Sequence, residues 1–282
     1  MDIRQSSEYG QFMKDIGWQV EKIGRWQAFI KKFPLISSLI KIQRISAPVP
    51  FKEIENLAKK HRSFKTIVEF NQFNPNYKLL ITNYSPCSSP FLPTKTIQID
   101  LIRSEKDIFN SFSPEKRRAI RKAQKNGVFV KEGNAEEFIF LKRKSLLEKF
   151  ILPIGDKKDI LALDKSFSPD QIVFFVAHHV TTRGFAPKQS RPLAGILLLF
   201  YQKTAYYWQA ASLNKGKKLA CPSLLVWEAL KLSKQKGCDI FDFEGIYDER
   251  FPNKSWLGFS RFKSGFGGKE IEFPPPMSLK NF

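Results

Sequence analysis

Apolar and polar positions along this chain follow two periods, and the places where the period changes mark out its elements. Residues 6–14 carry helical spacing and predict a short helix. Residues 19–23 and 27–31 predict two strands around Gly24, and the longer apolar run 35–45 a third. Phe51, Ile54, Leu57 and Ala58 fall on one face of a predicted helix over 51–61, with a strand following over 66–70. The Ser- and Pro-rich stretch 83–93 keeps neither period and reads as a loop.

Beyond it, Ile97, Ile99 and Leu101 alternate with polar neighbours, which predicts a half-buried strand. Ser104 is a cap for a helix beginning at Glu105, and Pro114 suits the first turn of another that Asn126-Gly127 stops. Helices over 134–150 and 156–165 precede strands over 173–180, 193–201 and 205–211. A long helix over 217–236, ended by Gly237, leads directly into a strand over 240–243. Helices, an antiparallel strand run, a long helix and a further strand form the order of half an acetyltransferase. The expected fold is α/β of the α+β type: two acetyltransferase-like subdomains with mixed, mostly antiparallel sheets flanked by helices. The first is expected over 1–133, completed by the tail 269–282, and the second over 134–268.

Composition narrows the function. The chain has 282 residues, 42% of them hydrophobic and 27 of them Phe, enough to fill cores of that size. Lys and Arg number 47 against 27 acidic residues, a net charge of +20. Such an excess points to a polyanion, an anionic membrane surface or an acidic substrate. The longest apolar run, 194–200, is far short of the roughly 20 residues of a spanning helix. The polar start Met1-Asp2-Ile3-Arg4 lacks an apolar signal core, so a cytoplasmic protein is expected. Cys87, Cys221 and Cys238, odd in number and far apart, suit reduced thiols, and three histidines without paired-ligand spacing do not suggest a metal. His178-His179 read as strand packing.

Candidate chemistry lies in five places. Lys116, Arg117, Arg118, Arg121, Lys122 and Lys125 crowd one helix, with Arg117/Arg121 and Arg118/Lys122 at the i,i+4 spacing where like charges repel. An anion would relieve that repulsion; a solvated basic face is the other reading. The basic turn 214–218 precedes the long helix, where a phosphate could sit, yet it lacks the glycine pattern of a coenzyme A loop. Tyr206, Tyr207 and Trp208 alternate faces of a strand, so that one ring is offered for stacking or for packing. Asp242 and Glu244 fall on one strand face, either as an acid/base pair or as structural partners of Arg261 or Lys263. Lys263 itself stands between Phe262 and Phe266, just before Gly265, Gly267 and Gly268.

The paired motifs "DFEGI" at 242–246 and "FKSGFGG" at 262–268 resemble the FemABX family of peptidoglycan-bridge aminoacyltransferases. The segments "SSEYGQFMKDIGW", "KRRAIRKAQKNGV" and "YYWQAAS" extend the resemblance over most of the chain. It implies an acetyltransferase-like fold and transfer of an amino acid from an aminoacyl-tRNA to the stem peptide of a peptidoglycan precursor, UDP-linked or lipid-linked. Lys263 matches a lysine of the family's transfer site. Lys22 and Lys203 stand near the positions of basic residues that hold the precursor's phosphates. Arg117, Arg118, Arg121, Lys122, Tyr207, Asp242 and Glu244 complete the expected binding set. No cofactor is expected beyond aminoacyl-tRNA as co-substrate, and the protein is expected to be a monomer, with peripheral contact to the cytoplasmic membrane. Two other readings stay open: an acyl-CoA-dependent N-acyltransferase on the same fold, and a non-catalytic RNA-binding module.

Overall fold

Ser6 opens the first helix of the computed structural model by accepting a hydrogen bond from the Tyr9 amide at 3.1 Å, and that helix, α1, spans Ser7–Asp15. The structure describes residues 1–34, 37–72, 83–153, 155–179 and 191–279. The chain continues through β1 (Gln19–Ile23), β2 (Trp26–Phe33), β3 (Ser37–Ile45), α2 (Phe51–Lys60), β4 (Ser63–Phe70) and β5 (Tyr84–Pro86). The predicted run from 35 begins at Ser37, because Leu35 and Ile36 lie outside the described residues. The predicted loop 83–93 contains the three-residue strand β5. So short an element carries no periodicity that a sequence pattern can register.

Next come β6 (Lys95–Asp100), α3 (Glu105–Ser111), α4 (Pro114–Lys125), β7 (Val128–Glu132), α5 (Ala135–Leu147) and α6 (Asp156–Ser166). Ser104, Ser113 and Asn134 cap α3, α4 and α5 by accepting the amides of Asp107, Lys116 and Glu137. The remaining elements are β8 (Ile172–His179), β9 (Arg191–Tyr201), β10 (Thr204–Ser212), α7 (Asn214–Lys218), α8 (Cys221–Gln235), β11 (Ile240–Asp242), α9 (Leu257–Ser264), β12 (Lys269–Glu272) and β13 (Met277–Leu279). Val180, expected at the end of β8, lies outside the described residues.

The long helix expected over 217–236 is two helices. Ala220 adopts φ +58° and Pro222 occupies the first turn of α8, so α7 ends and α8 starts afresh. The helix expected to reach residue 150 stops at Leu147, and Phe150 lies beyond it at φ +58°.

The chain divides into two compact units. One comprises residues 1–95, 247–254 and 271–282; the other comprises 96–246 and 255–270. Residues 96–133, expected in the first subdomain, lie in the second unit because β6 pairs with β11 and β7 pairs with β8. The tail contributes β13 to the first unit, between β4 and β5; residues 280–282 lie outside the described residues.

Among the described residues the first sheet has the order β1-β2-β3-β4-β13-β5. Ile30, Ile40, Ile42 and Val68 from its strands pack with Ile54 and Leu57 of α2. The second sheet has the order β12-β6-β11-β10-β9-β8-β7, in which β10 and β11 are parallel and β9/β10, β8/β9, β7/β8 and β6/β11 antiparallel. Leu224, Leu225 and Ala229 of α8 meet Ile196 and Leu198 of β9 and Ile120 and Ala123 of α4 in its core. Both sheets are thus mixed and flanked by helices, the architecture expected from the sequence. No helix among the described residues is long and apolar enough to cross a membrane.

Candidate active site

The second sheet splits at one place. β10 and β11 run parallel through only three residue pairs, ending at Tyr206 and Asp242, and β10 carries a bulge between Tyr207 and Gln209. Glu244 takes φ +69°, which turns the chain out of strand geometry and ends the period-two pattern that would have put Asp242 and Glu244 on one face. Beyond Asp242 no strand pairs with the carbonyls of Phe243 and Gly245. Phe243 O accepts the Gly245 amide at 3.0 Å, and both buried carbonyls find a donor in Lys263. From α9 its Nζ donates to the Phe243 oxygen at 2.7 Å and to the Gly245 oxygen at 2.6 Å.

Lys263 is therefore not a surface lysine: 9% of it is exposed. Its Nζ lies 4.9 Å from the Phe259 ring centroid and 5.7 Å from that of Tyr207. Burial pushes its pKa down to about 8, with the Glu244 and Asp242 carboxylates opposing the shift. An ammonium has three donors, and two acceptors hold it among the described residues.

A cavity of about 540 Å³ lies against β10 beyond this split. Tyr207, Ala210 and Ala211 of β10 form one wall, Phe259 and Phe262 of α9 another, and Ser223 in the first turn of α8 a third. Lys116, Lys149 and Lys217 line it against a single carboxylate, Glu115, so it favours an anion. Lys116 is its most enclosed cation, only 8% exposed. Its Nζ sits 4.3 Å from the Phe262 ring centroid, and no hydrogen-bond acceptor for it is found among the described residues. Burial lowers its pKa, with Glu115 opposing and Arg261 assisting. Gly265 makes room for it: a Cβ there would lie 2.7 Å from Lys116 Cε. An enclosed ammonium stacked on an aromatic ring, without a counter-ion, is a receptor for a phosphate or carboxylate.

Of the predicted site residues, Tyr207 lines this cavity and the others lie elsewhere. Burial raises the pKa of the Tyr207 hydroxyl. Asp242 is buried and accepts three hydrogen bonds, from the Thr96 hydroxyl at 2.6 Å, Gln98 Nε2 at 2.8 Å and the Glu244 amide at 2.7 Å. That is structural employment. Arg117 donates to the Asn110 carbonyl at 2.7 Å, while Arg118, Arg121 and Lys122 are exposed on the outer face of α4. Lys203 lies in the β9–β10 hairpin, at the end of these strands opposite Ser212, and donates to the Gly237 carbonyl. Lys22 is exposed on β1, in the other unit. The basic turn 214–218 is the short helix α7, and its Gly216 is a packing glycine, because a Cβ there would meet the Leu193 carbonyl at 2.4 Å. His178 is a buried strand residue stacked on Phe129 at 5.6 Å.

Lys116 was missed as a site residue, yet its signal was present. It stands four and seven residues before Ile120 and Ala123, and this spacing places it on the buried face of α4. Lys149, Phe259 and Ser223 carried no comparable signal, because their place at the cavity depends on how separate elements meet. The first unit holds a cationic residue of its own. Lys41 Nζ stands 4.3 Å from the Trp18 centroid, and burial pushes its pKa down to about 8 despite Glu69.

The sequence of residues 181–275 matches the FemAB family. No curated protein matches the chain. In fold it is similar to FemX, with a TM-score of 0.82 at 17% identity, covering 99% of this chain and 92% of that one. A C-terminal DUF2156 domain from Agrobacterium fabrum, assigned to a lysylphosphatidylglycerol synthetase, gives a TM-score of 0.65 at 10% identity, covering 99% and 89%. A tandem GNAT protein from the clavulanic acid biosynthesis pathway gives 0.52 at 8% identity, covering 93% and 81%. These likenesses show an acetyltransferase-like fold.

Proposed function

We propose that this protein, whose FemAB match over 181–275 and FemX-like fold support membership of the FemABX family, is an aminoacyltransferase that adds an amino acid to the stem peptide of a peptidoglycan precursor. The observation that carries the reading is the cavity beside β10, aromatic-walled and cationic, with the buried Lys263 packed against its Phe259 and Tyr207 walls. The donor is an aminoacyl-tRNA whose 3′ end enters this cavity. Its terminal base lies against Phe259, Phe262 and Tyr207, and Lys116 takes the adjoining phosphate.

An aminoacyl ester is already activated, so its aminolysis needs alignment and stabilisation of charge more than a strong base. The stem-peptide amine attacks the ester carbonyl carbon, and the electron pair of the C=O moves to oxygen. The third donor of Lys263 stabilises that oxyanion. When the tetrahedral intermediate collapses, the ribose oxygen leaves with the bonding pair and takes up the proton the amine gives. The exposed face of α4 is assigned to the body of the tRNA. The enzyme works in the cytoplasm, in peripheral contact with the membrane.

The test supplies a mixture of charged tRNAs with UDP-linked and lipid-linked precursors and weighs the products. A mass gain of one aminoacyl residue that depends on charged tRNA is expected. Transfer from acyl-CoA instead, or a rise in melting temperature with coenzyme A and none with charged tRNA, would move the protein to the N-acyltransferase reading.

A further inference from the structure

The end of α5 carries side chains for which the fold has no use. Phe150 is 100% exposed and holds φ +58°, a conformation that bulky residues avoid. Leu152 is 74% exposed and Ile151 is exposed beside it. On α5 itself Phe140 and Leu147 are exposed, and seven residues apart they lie on one helix face. They border a groove of about 540 Å³, in which Arg143, Lys144 and Lys157 stand against one carboxylate, Glu136. Lys149 and Lys158 are exposed nearby, as is Asp159. The Glu148 carboxylate is occupied by the Asn214 amide at 2.7 Å.

We infer that this face of the second unit, Phe140, Leu147 and the loop Phe150-Ile151-Leu152, seats on an anionic lipid surface. The loop enters the boundary between headgroups and acyl chains, and Arg143, Lys144 and Lys157 meet the headgroup phosphates. Apolar side chains rimmed by cations are the composition of an interfacial membrane contact. RNA would reward the lysines but not three consecutive exposed apolar residues. The inference rests on the peripheral-membrane part of the proposed function and is independent of the transfer chemistry. It also favours one acceptor. Lys149, one residue before Phe150, lines the cavity, so a seated loop brings the cavity to the headgroups, where a lipid-linked precursor presents its stem peptide.

The experiment sediments the full chain with phosphatidylcholine vesicles, with and without phosphatidylglycerol. Binding only to the anionic vesicles, weakened by salt, is expected. Replacing Phe150→Ser together with Leu152→Ser should weaken that binding about tenfold or more without lowering the melting temperature, because both side chains are exposed. Lys144→Gln and Lys157→Gln should each weaken it about fivefold. Transfer to a UDP-linked precursor by the double Ser variant should match the parent, so loss of membrane binding and failure of the transferase reading are told apart. Equal binding of parent and double Ser variant to anionic vesicles would overturn the inference. So would no binding by the parent, or a double Ser variant that keeps vesicles and loses tRNA, which would give the face to RNA.

Discussion

Lys263 Nζ and the main-chain oxygen of Phe243 are 2.7 Å apart, and this bond lies where β10 and β11 part. The same lysine closes the broken edge of the sheet and packs against Phe259 and Tyr207, two residues that line the cavity. A hydrophobic residue there would donate to neither carbonyl.

Lys263→Met should therefore have two effects. It leaves the Gly245 carbonyl without its buried donor and the Phe243 carbonyl with the Gly245 amide alone, a cost of about 1–3 kcal/mol for the group left unsatisfied. Urea unfolding reads that cost. Transfer by the folded fraction should fall about 10²–10³-fold, the scale for removing one oxyanion donor. Lys263→Arg keeps the charge but spreads it over a planar fork that does not fit the two carbonyls, and should rescue little of either. Reduced stability with a parental rate would leave Lys263 as a clasp only.

Lys263 and Lys41 should titrate far below an ordinary lysine. Burial brings Lys263 and Lys41 to about 8, from an ordinary value of 10.5. Below about pH 8 both folded and unfolded chains carry these protons, and the burial penalty is constant. Between about 8 and 10.5 the folded chain has released them while the unfolded chain still holds them, so their contribution to stability rises with pH across that window and is flat above it. Side-chain carbon NMR of lysine should show two midpoints near 8, one of which vanishes in Lys263→Met. A Lys263 signal that stays charged through pH 10 would remove the desolvated site.

Much of this was legible because it is local. The helix cap at Ser104, the helix start at Pro114 and the alternation of Ile97 and Ile99 follow from neighbouring residues, and the structure has them where the pattern puts them. The split was not legible. It depends on Glu244 in a left-handed conformation that nothing in "DFEGI" demands, and it redirects Asp242 from a site face to a triple acceptor. The division of the chain was hidden for a related reason: β6 reaches forward to pair with β11, a long-range choice that leaves no periodic mark. Pro222 did mark a helix start inside the expected long helix, and its weight there was underestimated.

Gly268 is a place where the backbone allows no side chain. It adopts φ +91°, and a Cβ would lie 2.6 Å from the Gln98 carbonyl oxygen and 2.9 Å from Ile97 Cγ2. The left-handed conformation alone costs an L-residue about 1–2 kcal/mol, and the close approach adds about 1–3 kcal/mol of overpacking. Gly268→Ala should destabilise the chain by about 2–5 kcal/mol on these terms, whereas Gly258→Ala, with open space around its Cβ, should be near neutral. Calorimetry of the two variants compares them directly, and equal melting temperatures would show that β12 shifts to accept the methyl group.

α4 offers the last test, because its two faces carry different cations. Lys116 points inward to the cavity, while Arg118, Arg121 and Lys122 are exposed to solvent. If the outer face meets tRNA phosphates, replacing Arg118, Arg121 and Lys122 with Gln should lower the slope of log affinity against log salt by about 0.7–0.9 for each phosphate no longer neutralised. Lys116→Met should change that slope by no more than one phosphate's share, since a single enclosed cation reaches a single phosphate. It should instead weaken a short aminoacylated acceptor-end fragment about as much as whole tRNA, because the cavity holds only the terminus. The two variants thus separate the helix into an outer face that holds the nucleic acid and an inner residue that seats its end. A Lys116→Met protein that binds the fragment like the parent would empty the cavity of its assigned ligand, while an unchanged salt slope in the triple Gln variant would return the outer face to solvent.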